Sequence, residues 1–145
     1  DPMTHLKHLF ALFAPLILAA CGASGTAVPR AAQITCHTAY RSSGSVPIER
    51  EHTLLFSDND AADSVAFTDL TFHAVYHSGE MNRERTLRLW VSETGLTAEL
   101  TSQLYQLPID SGPQNQFIGS HGFTGLNYVT HRSTGAELQF WCTAE

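Results

Sequence analysis

The chain has 145 residues, three cysteines and a formal net charge of −6. Nucleic acid is excluded as an expected partner: gripping phosphates takes a basic stripe, and beyond Lys7 the only cations are seven arginines scattered from Arg30 to Arg132 against thirteen Asp and Glu. That acidic balance favours solubility above all.

Asp1-Pro2 stand ahead of Met3, the expected start, and read as two leading non-native residues. Met3 to His8 is a short basic segment, and Leu9-Phe10-Ala11-Leu12-Phe13-Ala14-Pro15-Leu16-Ile17 is an apolar run. It falls well short of the roughly 20 apolar residues that a membrane span needs, and Pro15 interrupts it. Residues 1–20 are therefore expected to be a helical secretory signal. Leu18-Ala19-Ala20-Cys21 resembles the lipobox of bacterial lipoproteins. The resemblance implies cleavage after Ala20 and diacylglycerol on Cys21. It also implies a protein that is exported and lipid-anchored in the bacterial cell envelope, periplasm-facing or surface-exposed.

Residues 21–32, rich in Gly, Ala and Ser with Pro29, are expected to be a flexible tether, and residues 33–145 a single β-domain. With Cys21 assigned to lipid, Cys36 and Cys142 remain as one pair in an oxidising compartment, where a disulfide forms and persists. Metal binding by two lone cysteines so far apart is the weaker alternative.

Alternation dominates the domain. Ile34, Cys36, Thr38 and Tyr40 share one face of a strand that stops at Ser42-Ser43-Gly44-Ser45. Thr53 to Phe56 is a short run, and Asp58 to Asp63 reads as a solvated acidic turn rather than a calcium loop, lacking the glycine and distal glutamate of an EF-hand. Leu70, Phe72, Ala74 and Tyr76 alternate with polar residues, as do Leu87, Leu89 and Val91. Thr97 to Leu107 suits a strand, although its leucines also fit helical spacing. Gln116–Ser120, Leu126–His131 and Glu137–Thr143 close the series, with Arg132 to Gly135 joining the last two. The expected fold is all-β: an antiparallel sandwich or flattened barrel of seven or eight strands with one disulfide, after the signal helix. Cys36 lies on the face of Ile34, and Cys142 on the face of Leu138 and Phe140. Both sulfurs are thus expected in the core, with the first and last strands as neighbours.

Candidate chemistry is sparse. His73 and His77 would lie about 13 Å apart on a strand and cannot share an ion there. A site would have to converge from different strands, for example His73 with His131, and no zinc motif supports one. No cofactor is expected. No GxSxG, free thiol, P-loop or paired carboxylate points to catalysis, and an enzyme is not expected. The candidate binding residues are His121, Gly122, Phe123, Thr124 and Gly125, whose glycines permit close backbone approach. Trp90 and Trp141 join them, placed by parity opposite the core beside His73, Arg88 and Gln139. As structure, the same loop is a long turn with Phe123 tucked onto the core. The expected activity is non-catalytic binding of an envelope glycan, peptide or protein.

Thr124-Gly125-Leu126-Asn127-Tyr128 is similar to the short Ser-Gly-x-x-Tyr loop of membrane-anchored inhibitors of c-type lysozyme, small β-barrel lipoproteins with a disulfide between early and late strands. Here Thr replaces Ser, and no lysine follows Lys7. That resemblance implies an alternative, inhibition of an envelope-attacking enzyme. An envelope hydrolase with a triad assembled from distant positions is a further one.

Overall fold

The computed structural model describes residues 33–57, 59–79, 85–108 and 112–145. The signal, the lipidation residue Cys21 and the tether lie outside these. The described residues form eight strands: β1 Ile34–Arg41, β2 Arg50–Phe56, β3 Ala61–Ala66, β4 Leu70–His77, β5 Arg85–Glu93, β6 Glu99–Leu107, β7 Asn127–Thr130 and β8 Glu137–Ala144. They build two antiparallel sheets, ordered β2-β1-β8-β7 and β3-β4-β5-β6, which pack as a sandwich. The first and last strands are the central pair of the first sheet.

Period-2 patterning explains the core. Ile34, Cys36 and Tyr40 of β1 and Leu138, Phe140 and Cys142 of β8 face Phe72, Tyr76, Leu87 and Leu89 of the other sheet, all buried. Phe140 meets Phe72 across the interior at 5.1 Å between ring centres, and Phe56 meets Tyr76 at 6.2 Å. Cys36 and Cys142 sit directly opposite one another and are joined by a disulfide in this core, with neither residue exposed. At one end Tyr40 donates a 2.6 Å hydrogen bond to Asp69 and so ties the sheets together. Burial first, and the Asp69 carboxylate second, push the Tyr40 phenol above its ordinary pKa.

Two local expectations change and one ambiguity is resolved. The 116–120 segment is a loop, not a strand. Gly119 and Ser120 have φ of +78° and +63°, and two successive left-handed residues turn a chain back on itself. Thr97–Leu107 resolves in favour of β6. Its helically spaced Leu96, Leu100 and Leu104 lie exposed, and only Leu107 reaches the core, because pairing with β5 sets a two-residue period. Ala61–Ala66, half of which reads as a turn in the sequence, is β3. It is an exposed edge strand held by its ladder to β4, so it needs no apolar face of its own.

The loop before β7 has a structural task that its composition hides. β7 pairs with β8 only from Glu137 to Phe140, which leaves the outer edge of β8 open at Cys142 and Ala144. Loop groups take the place of a strand there. Phe123 N donates to Cys142 O at 3.0 Å, and Cys142 N donates to the Thr124 hydroxyl at 2.8 Å. The Asn115 amide both donates to Ala144 O (2.7 Å) and accepts from Ala144 N (3.0 Å). Buried backbone groups need such partners.

Candidate functional site

Five of the seven candidate binding residues fall in or beside this sealed edge, and most face inward. Gly122, Phe123, Thr124 and Gly125 are buried. Phe123 belongs to the core, its ring edge-on to Tyr105 at 5.9 Å. The hydroxyl of Thr124 accepts from Cys142 N and donates to Gly125 O, so the residue matching the serine of the lysozyme-inhibitor loop is committed to holding β8. These four residues therefore leave the set that can touch a ligand with a side chain. His121 remains.

The two tryptophans do not share a face, contrary to expectation. Parity puts each opposite a core, but of different sheets. Trp141 lies outside β2-β1-β8-β7 and Trp90 outside β3-β4-β5-β6, with the whole sandwich between them. Both are half-buried.

Around Trp141 an aromatic cluster forms with the loop. His37, paired with Trp141 in the register of β1 and β8, stacks on it at 5.2 Å and 17°, while His121 meets it edge-on at 5.3 Å and 84°. His37 is not among the binding residues expected from the sequence. Its signal was present: if Cys36 opposes Cys142 on antiparallel strands, the next residue on one side opposes the preceding residue on the other. Tyr128, opposite Gln139 on the same sheet, is 66% exposed. Beyond the cluster, toward the end of β8, lies a cleft of about 430 Å³ lined by Asn115, Phe117, Ser120, Gly122, Thr143 and Glu145 among others.

Trp90 has different company. His73 stacks on it at 4.8 Å and 7°, and the Arg88 guanidinium lies over the ring at 4.6 Å while pairing with Glu99. Like Trp141, this indole already has two planar groups against it, but here one of them is the charged, ion-paired Arg88. Burial lowers the pKa of His73 below its ordinary 6.5, against a smaller opposing effect of Glu99, and its Nε2 lies 3.0 Å from the Ser92 hydroxyl. A depressed histidine pKa means that the fold prefers the neutral ring. The contribution to stability is then complete above pH 6.5 and is lost as the pH falls through the lower folded value. Melting temperatures measured between pH 7.5 and about pH 5 should therefore fall, and His73→Gln should flatten part of that fall. Identical slopes for parent and variant would contradict this.

His131 is bound into the turn before β8. Thr134 N donates to its Nδ1 at 3.1 Å, which places the proton of the neutral ring on Nε2, 3.6 Å from Glu93. The Thr134 hydroxyl lies 3.0 Å from the same Nδ1, but that lone pair already serves the Thr134 amide, so the set caps a turn. His73 and His131 have separate partners, and no group of three His, Cys, Asp or Glu among the described residues is placed to hold a metal ion. Comparison with family models, curated proteins and solved structures finds no match.

Proposed function

We propose that this chain is a lipid-anchored protein of the bacterial cell envelope whose domain is a non-catalytic binding module, with its contact surface on the outer face of β2-β1-β8-β7 around Trp141, His37, His121 and Tyr128. The observation that carries the reading is an uncharged aromatic surface on an acidic protein. No Asp, Glu, Lys or Arg occurs between Asp110 and Arg132, and the arginine that points out of this face, Arg41, is neutralised by Glu137 at 2.7 Å. A polyanion finds no lysine or arginine among these four side chains. A neutral glycan, or an uncharged stretch of peptide or protein, finds aromatic planes flanked by amide and hydroxyl groups, the mixture that favours specific contact. The lipobox-like Leu18–Cys21 and a disulfide that persists best outside a reducing cytoplasm support the location.

Lipidation is tested by expression with globomycin, which blocks lipoprotein signal cleavage. Precursor should accumulate, and unchanged processing would remove the anchor from the reading. The surface is tested by a binding screen against envelope glycans and lysozymes. Tyr128→Ala and Trp141→Ala should weaken the detected interaction about tenfold or more, and Trp90→Ala, on the opposite sheet, should leave it unchanged. Tyr128 is exposed enough that its truncation spares the fold. Retained binding in the Tyr128 and Trp141 variants, or loss only in the Trp90 variant, would place the contact elsewhere.

A further inference from the structure

Phe117 rests its ring on Gly125 of the sealing loop and is still 47% exposed, while Ile118 takes no part in sealing β8 or in the aromatic cluster and is 97% exposed. Asn115 on one side and Phe123 on the other are bonded to β8, and Phe117 N donates to Gly122 O, so the tip between them is held outward. One exposed isoleucine is ordinary on a protein surface. Its place in the fold is informative. Gln33 and Glu145 exchange two backbone hydrogen bonds, at 3.1 and 2.9 Å, so the chain leading back to Cys21 leaves the domain beside the last residues of β8. Asn115 fastens the loop to the residue preceding Glu145. The tip and the tether's entry therefore lie at one end of the sandwich.

We propose that Phe117 and Ile118 dip into the lipid surface that anchors Cys21, which stands the sandwich on this end and turns both outer faces sideways. The proposal rests on the lipid-anchor part of the reading above. Residues 22–32 can span at most about 40 Å, so the anchor keeps the tip at high effective concentration against the bilayer, and a contact too weak to recruit the protein alone becomes populated. The absence of charged residues between Asp110 and Arg132 suits this segment to the interface. The carboxylate of Glu145 at the same end restricts entry to headgroup depth and favours zwitterionic over anionic lipid.

The test uses the chain from Cys21 to Glu145, which contains all eight described strands. Cys21 is its one thiol outside the disulfide, so it can be coupled to phosphatidylcholine vesicles bearing a maleimide lipid. Hydrogen exchange is then compared with the same chain capped by a soluble maleimide. The amides of residues 116–120 should exchange about tenfold more slowly on vesicles, the scale set by burying one large aliphatic side chain. Ile118→Ser, at a site open to solvent, should abolish that protection without altering the sheets, and phosphatidylglycerol vesicles should protect less. Equal exchange on vesicles and in solution would overturn the proposal, even if an added envelope protein then protected the same amides. Protection that survives Ile118→Ser would overturn it too. The maleimide supplies the anchor, so a negative globomycin experiment would defeat the lipidation reading without entering this measurement.

Discussion

Replacing Cys36 and Cys142 together by alanine is expected to cost about 4 to 5 kcal/mol. The bond joins residues separated by 106 positions, and on the chain-entropy model a loop of about that length loses roughly 4.7 kcal/mol of denatured-state freedom. A domain of this size is stable by only about 5–15 kcal/mol in total. The reduced form should therefore sit near the edge of unfolding. Both residues are fully buried between β1 and β8, so the paired alanines also give up sulfur contacts in the core. Urea titration of the parent and the double variant measures the loss, with the slope reporting any change in denatured-state compactness. A loss below about 1 kcal/mol would mean that the denatured chain is already held together by other means.

Gly122→Ala is expected to cost about 3 kcal/mol or more, although it adds one methyl group. A Cβ there would stand 2.0 Å from Cys142 O and 2.8 Å from Thr143 Cα, and Gly122 has a φ of +63°. The atoms it meets are backbone of β8, which is held by β1 and cannot give way. The loop must lift instead, breaking the bonds from Phe123 and Thr124 to Cys142 and drawing Phe123 from the core. Gly135→Ala is the matched comparison: φ is +75°, but nothing lies within 4 Å of its added carbon. That change should cost only the left-handed penalty, about 1–2 kcal/mol. Equal losses for the two variants, read from denaturation midpoints, would refute the account of this loop as the seal of the β8 edge.

The class of fold and much of its core could be read from the sequence because both depend on alternation within a single strand. Ile34, Cys36 and Tyr40, then Leu70, Phe72 and Tyr76, then Leu87, Leu89 and Val91 each declare an inner face in their own few residues, and all are buried. The same parity put both sulfurs inside and the outer strands of the chain side by side. Local pattern says which face of a strand is buried, but not which sheet the strand joins. Trp90 and Trp141 therefore looked like partners and stand on opposite sides of the molecule. β3 was hidden because an edge strand takes its stability from ladder bonds to β4 rather than from apolar side chains. The 119–125 loop was hidden for a related reason. Its glycines look like an opening for a ligand, and only the shortness of β7 shows that they let the loop come close enough to complete β8. Periodicity along the chain determined which side chains are inward. Which strands pair, where an edge is left open and what fills it are matters of contacts between residues far apart in sequence, and those the tertiary structure alone decided.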